Sequence, residues 1–153
     1  MYPNNCLSFH IKEFQYLTPD ELYEILKARF TVFVMEQKCF YLDMDDIDYY
    51  SYHITLWHDK NVIAYARLYR GNTPGVFHVG RLLTTVRHKG YGRSILQTCL
   101  SQAKRCGAKR VVIDAQTHAI SFYEKIGFEV ISEEFMEAGI PHKKMQFDLT
   151  DYI

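Results

Sequence analysis

With 153 residues, 48% of them hydrophobic and 24% charged, the chain can bury roughly two-thirds of its unfolded surface in a core and lacks the composition of a disordered segment. Eighteen Lys and Arg balance eighteen Asp and Glu, which excludes the broad basic field of a nucleic-acid binder and makes any anion site local. Four cysteines (Cys6, Cys39, Cys99, Cys106) without metal-ligand spacing, no secretory pattern in residues 1–10 and no ~20-residue apolar run point to a reducing, cytoplasmic setting with neither metal nor membrane.

No repeat, low-complexity tract or Pro/Gly/Ser-rich linker divides the chain, so one domain over residues 1–153 is expected. Residues 7–14 read as a first strand. Thr18-Pro19-Asp20-Glu21 then supplies an N-cap, a proline at the first helical position and a glutamate at the third, which together start a helix. Its expected stripe, Leu22, Ile25, Leu26, Phe30, Phe33 and Val34, keeps helical spacing to about Met35. Residues 35–52 have no clean period and are interrupted by Asp43, Asp45, Asp46 and Asp48. They read as a loop or broken helix, the acidic run being a solvated face rather than a device that steers cations.

Residues 53–58 and 62–69 flank Asp59-Lys60-Asn61 as a hairpin. After a turn at 71–75, a strand over 76–85 carries Phe77, Val79 and Leu83 on one face and His78, Gly80 and Leu82 on the other, with Arg81 a polar intruder on the first. A helix over 92–106 presents Ile95, Leu96, Cys99, Leu100 and Ala103 and stops at Gly107. Residues 110–115 form a nearly all-apolar strand of the kind buried on both faces. A short helix over 119–126 ends at Gly127, and strands over 129–135 and 144–149 close the chain. The order is mixed α/β, with a βαβ unit over 76–115 as its best-defined part. Trp57, Tyr49, Tyr50 and Tyr52 read as core and rim aromatics. Arg67 and Arg81 lie in strands, where an unpaired buried charge is costly, so each needs a carboxylate partner or the wall of a cleft.

The turn inside the βαβ unit is Arg87-His88-Lys89-Gly90-Tyr91-Gly92-Arg93-Ser94. Two glycines one residue apart let backbone approach a ligand, and the unpaired N–H groups of the following helix point at it, a geometry suited to phosphate. Arg87, Lys89 and Arg93 put three cations at a helix N-terminus, where they oppose the macrodipole unless an anion is present. A dinucleotide fingerprint would need glycine or alanine where Ile95 stands, and a P-loop would need Gly-Lys-Ser/Thr.

Arg87, Gly90 and Gly92 match the Arg/Gln-x-x-Gly-x-Gly/Ala pyrophosphate loop of the GNAT acetyltransferases, and Phe122-Tyr123-Glu124-Lys125-Ile126-Gly127-Phe128 is similar to that family's aromatic-Tyr-x-x-x-Gly-Phe segment. Residues 29–37, 115–118 and 139–142 resemble its ElaA-like branch. The resemblance implies an α/β (α+β) fold with a twisted, mixed, mostly antiparallel sheet, splayed between the strands around Leu83 and Ile113, and helices on both faces. It implies acetyl-CoA as co-substrate, no metal, an amine acceptor on a small molecule, peptide or protein, and direct transfer without an acyl-enzyme. By the same resemblance, Arg87 and the amides of His88, Lys89, Gly90, Tyr91, Gly92 and Arg93 hold the pyrophosphate. Leu82, Leu83 and Thr84 pair with the pantetheine arm, one amide serving the thioester oxygen as an oxyanion donor. Phe122 and Lys125 flank the coenzyme, and Tyr123 is the general acid. The base is open among Glu36, His53, His118 and His142, with Glu36 the best placed, because it sits where the helix breaks into the loop that lines the acceptor site in such enzymes. A coenzyme sensor that has lost catalysis is the rival reading. The identity of the amine, the acyl length, and monomer against homodimer are left open.

Overall fold

The β-branched and aromatic runs of the chain build one eight-stranded sheet in the computed structural model, which describes residues 7–152. Its elements are β1 (Leu7–Glu13), α1 (Pro19–Arg29), β2 (Tyr52–His58), β3 (Asn61–Arg70), β4 (Val76–Thr84), α2 (Tyr91–Arg105), β5 (Arg110–Gln116), α3 (Ile120–Ile126), β6 (Glu129–Val130), β7 (Phe135–Glu137) and β8 (Ile140–Asp148). The strand order is β1-β2-β3-β4-β5-β8-β6, with β7 pairing β8. Every pairing is antiparallel except β4 with β5. That parallel contact runs only from Val76↔Arg110 to Val79↔Ile113. Further along, β4 stays with β3 up to Ala64↔Thr84, and β5 stays with β8 up to Gln116↔His142, so the sheet splays open between them.

Two cores lie on opposite faces. On one, Ile95, Leu96, Cys99, Leu100 and Ala103 of α2 pack on Ile54, Leu56, Ala64, Ala66, Phe77 and Val79, while Phe122, Tyr123 and Ile126 of α3 close its margin. On the other, Ile25, Ala28 and Val32 cover Trp57, Val62, Tyr65 and Leu83. Each large aliphatic side chain fully buried here contributes ~1.5–3 kcal/mol. Among the described residues no helix is long and apolar enough to cross a membrane, and Cys39, Cys99 and Cys106 are free thiols, Cys6 lying outside those residues.

α1 begins at the expected capping box, with Thr18 Oγ1 accepting from the Glu21 amide at 3.1 Å and Glu21 Oε1 accepting from the Thr18 amide at 2.8 Å. Its far end departs from expectation. The α-helix stops at Arg29 and widens into a π-helical segment, Phe30–Glu36. The buried face is Ile25, Ala28, Arg29 and Val32, a helical spacing that includes a charged residue, while Phe30 is 54% exposed.

The faces expected for β4 hold only as far as Gly80. Arg81 has φ of 55° and, with Leu82, forms a bulge, since Arg67 opposes Gly80 but Tyr65 opposes Leu83. The extra residue shifts the alternation, so Phe77 and Val79 face the α2 core and Leu83 faces the α1 core. The strand expected over 129–135 is two short ones, β6 and β7, separated where the Ser132 hydroxyl accepts from the Lys144 amide at 2.8 Å. β8 starts at Ile140 rather than 144, because Ala138 and Gly139, both at positive φ, close a tight β7–β8 hairpin and Pro141 is accommodated opposite Met136.

Candidate functional site

The splay forms one continuous cleft of about 770 Å³. Thr84, Arg87, Gly92 and Phe122 wall one end, Leu82, Leu83 and Tyr123 the middle, and Asp43, Asp45, Arg67, Arg81, Glu137 and His142 the other end.

At the first end, β4 turns into α2 through backbone that needs left-handed φ at His88 (61°) and at Gly90 (74°), the helix N-cap. Ser94 makes the first intrahelical bond, to Gly90 O at 3.2 Å, so the amides of Tyr91, Gly92 and Arg93 have no carbonyl partner within the helix. No acidic residue neutralises this first turn, and Arg87 and Lys89 precede it. Arg87 is held in place by Thr84, donating to its carbonyl and, at 2.9 Å, to its hydroxyl. A Cβ on Gly92 would lie 3.5 Å from Phe122 and 3.7 Å from Thr84, so any side chain there grows into the cleft between them. Lys125 lies on the exposed side of α3, outside the cleft wall. These features fit a pyrophosphate bound by backbone amides and a narrow acyl-carrying arm lying in the splay. Gly92→Val is therefore expected to keep the fold and weaken acetyl-CoA binding more than tenfold, over ~1.4 kcal/mol by calorimetry. An unchanged affinity would remove this loop from the binding site.

Tyr123 lines the cleft beside Phe122. Its ring is braced edge-on by Phe122 at 5.1 Å and Phe128 at 5.8 Å. Gly127, at φ 122°, ends α3 and allows this packing, since a Cβ there would come within 2.9 Å of Phe147. Burial, reinforced by nearby Cys99, pushes the Tyr123 hydroxyl up to about 12, so it is protonated at neutral pH. Among the described residues that hydroxyl has no hydrogen-bond partner, and Tyr123 is one of the residues that line the cleft. Cys39 also lines the cleft, but burial raises its thiol against the opposing charge of Arg81, which disfavours a thiolate nucleophile.

The acidic run is a framework, not a solvated face. Arg29 donates to Asp43 at 2.8 Å and to Asp48 at 2.7 Å. Arg67 binds Asp45 through two nitrogens at 2.8 and 2.6 Å and reaches Asp48 at 3.1 Å. Arg81, aimed by its bulge, donates to Asp43 at 2.8 Å. Three guanidiniums from α1, β3 and β4 thus pin residues 43–48 against this end of the cleft, and three carboxylates neutralise them. Gly80 makes room, for a Cβ there would lie 3.5 Å from Arg67 Nε. Burial works against the charge on Asp45, but the hydrogen bonds and charge of Arg67, with Arg81, outweigh it and hold that carboxyl at about 2. Asp48 is lowered in the same way, burial being outweighed by Arg29 and Arg67.

Because these folded-state values are depressed, the two carboxyls stabilise the fold fully above their ordinary value of 3.8 and lose that contribution as pH falls through the folded value. The urea midpoint is expected to hold level from pH ~7 to ~5 and to drop between ~4 and ~2, and Asp45→Asn to flatten that drop. An acid limb unchanged in Asp45→Asn would count against this cluster.

The four residues named as candidate bases occupy different places. Glu36 ends the π segment half exposed, its carboxylate accepting from Arg87 at 2.7 Å; the cleft wall beside it is made by Phe33 and Gln37. His53 is buried under the sheet, its Nδ1 at 2.7 Å from the Tyr65 hydroxyl and its Nε2 at 2.9 Å from Asp48 O, and burial lowers its pKa. His118 lines the cleft and engages Gln116 Oε1 through Nε2 at 2.7 Å. His142 is buried and lines the cleft beside Glu137, a residue without any sequence signal of its own.

Comparison with known proteins shows the family and the fold. The profile described as an acetyltransferase (GNAT) domain matches residues 14–149. A UPF0039 protein of Schizosaccharomyces pombe is 36% identical over 148 residues, covering 94% of this chain and 98% of that protein. ElaA of Escherichia coli is 33% identical over 134 residues, covering 82% and 86%. The crystal structure of an acyl-CoA N-acyltransferase from Pseudomonas aeruginosa superposes with a TM-score of 0.86 at 33% identity, covering 92% of this chain and 98% of that one.

Proposed function

Since the chain belongs to the GNAT acetyltransferase family, we propose that it transfers an acetyl group from acetyl-CoA to a primary amine of a small molecule or peptide, within a ternary complex, as one cytoplasmic catalytic domain. The observation that carries this reading is the single cleft that joins unpaired helix amides at one end to a braced, unpartnered phenol and a charged acceptor chamber at the other.

Acetyl-CoA supplies the thioester; the chain's own residues do the rest. The amides of Tyr91, Gly92 and Arg93, with Arg87 and Lys89, bind the pyrophosphate by charge-assisted hydrogen bonds. The edge of β4 that faces the splay, free of β5 beyond Val79, offers backbone groups of Leu82, Leu83 and Thr84 to the arm and an N–H to the thioester oxygen. Tyr123 donates toward the sulfur as the thiolate leaves. Glu36 acts through Arg87 as a clasp between the acceptor loop and the pyrophosphate loop. Positioning of the amine against the thioester supplies much of the rate.

Thermal melts with acetyl-CoA, ATP and NAD test the coenzyme half of this reading. Only acetyl-CoA is expected to stabilise the protein, by ~2.7 kcal/mol at ~100 times its dissociation constant. Equal stabilisation by ATP or NAD would point to a generic nucleotide site.

A further inference from the structure

The β7–β8 hairpin carries a proton-accepting pair. Its tight turn at Ala138 and Gly139 places Glu137 opposite Ile140 and Phe135 opposite His142, so Glu137 and His142 are diagonal neighbours on adjacent strands. His142 Nδ1 lies 2.7 Å from the Ile140 carbonyl. A carbonyl only accepts, so Nδ1 carries the proton and, in the neutral ring, Nε2 presents its lone pair. That lone pair faces Glu137 Oε2 at 3.7 Å, too far for a direct hydrogen bond, with two acceptors turned toward one another. Phe135 stacks on the imidazole, centroids 5.9 Å apart at 24°, and fixes the ring plane.

Charge at this end of the cleft balances except at this pair. Arg29, Arg67 and Arg81 are matched by Asp43, Asp45 and Asp48, and Lys144 is matched by Asp114 at 2.8 Å. Glu137 is left with His142 as its one ion-pair partner among the described residues. The groups that act on Glu137 are Asp114 of β5, His142 of β8 and Arg81 of β4. Burial and then Asp114 raise its carboxyl, and His142 and Arg81 oppose them, so the chamber resists a second negative charge until a cation arrives.

We propose that His142 Nε2 is the general base of the reaction, with Glu137 as the carboxylate that recognises the acceptor ammonium and stabilises the imidazolium formed. The proposal rests on the acetyl-transfer reading and names its acceptor class as a primary amine protonated at neutral pH. Nε2 takes one proton from the ammonium. The freed nitrogen lone pair forms the C–N bond to the acetyl carbon, the amide nitrogen so formed gives up its second proton to solvent as the C–S bond breaks, and the thiolate takes up the Tyr123 proton. The products are the N-acetylated amine and coenzyme thiol, and the imidazolium proton returns to the phenolate by way of solvent. Of the rival histidines, His53 has both nitrogens bonded within the core, and His118, whose Nε2 donates to Gln116 Oε1, has among the described residues no carboxylate at ion-pair distance to hold an ammonium or to steady an imidazolium.

The test is the pH dependence of kcat/KM for wild type, His142→Gln and Glu137→Gln on one amine, with coenzyme affinity and melting temperature measured alongside. At pH ~7 His142→Gln should lose ~10²–10⁴-fold, and Glu137→Gln, half exposed and tolerant of the change, should lose at least ~10-fold with acetyl-CoA affinity unchanged. Activity of His142→Gln should then climb about tenfold per pH unit toward the pKa of the amine, since free amine needs no base, while a merely structural loss would be parallel at every pH. A kcat/KM within about threefold of wild type for both variants, a parallel loss at all pH, or the high-pH recovery appearing in Glu36→Gln instead would overturn the assignment. A wild-type protein that binds acetyl-CoA but acetylates no amine overturns the acetyl-transfer reading itself, and this proposal with it.

Discussion

Tyr123→Phe is expected to lower turnover by ~10² to 10⁴ while leaving acetyl-CoA affinity and melting temperature close to wild type. The substitution keeps the ring that Phe122 and Phe128 brace and removes only the hydroxyl, which among the described residues bonds to nothing else. A group that acts mainly in the transition state shows itself in kcat and not in ground-state binding. With the phenol raised to about 12, proton transfer to an ordinary thiolate at ~8.5 would run uphill. In the proposed complex the leaving sulfur would share that buried surrounding, where desolvation raises its proton affinity too, so the two would be drawn together. If turnover falls less than about threefold, the proton reaches sulfur by another route.

The second large effect is on stability. Arg29, the last residue of α1, is fully buried, holds Asp43 and Asp48, and lies 5.9 Å from the centroid of the Tyr65 ring. Arg29→Met keeps the aliphatic stem and strips Asp48 and Asp43 of one cation each, a change that costs ~3–5 kcal/mol when one partner of a buried pair is removed. For a chain of this size the melting temperature should drop by ~6–20 °C. The loop over residues 43–48 should loosen as well, so KM for the amine should rise while acetyl-CoA affinity is retained. Lys60→Met on the exposed β2–β3 turn serves as control, with a change within ~0.5 kcal/mol. A fall of under ~1 kcal/mol in Arg29→Met would mean that the cluster is solvated in solution.

How far the sequence could be read depended on whether the signal was local. Thr18 to Glu21 is a contiguous capping box, and the turn from Arg87 to Ser94 is a contiguous glycine-rich helix start, so both were legible from spacing alone. The splay was expected from resemblance and appears as the short β4–β5 ladder. Arg81 was read as an intruder on an alternating strand, because a bulge at a non-glycine residue leaves no mark in the pattern. The expectation that Arg67 and Arg81 find carboxylates holds, but their partners and the part of Arg29 were not legible for a related reason: the pairs are separated by 14 to 38 positions, and only the fold brings them together. Apolar-stripe reasoning also discards arginine, which is why Arg29 gave way to Phe30 in the expected helix face. Glu137 had no motif at all. It becomes visible through the hairpin that sets it beside His142.

The most direct test of the whole account is release of free coenzyme thiol from acetyl-CoA by the wild-type protein across a panel of primary amines, polyamines, amino-acid amides and peptides, with acetylated product identified by mass. The account predicts amine-dependent thiol release, stoichiometric with N-acetylated product, for at least one class of cationic primary amine. Tight acetyl-CoA binding with no amine-dependent release from any member would contradict it and identify a coenzyme sensor built on the same fold.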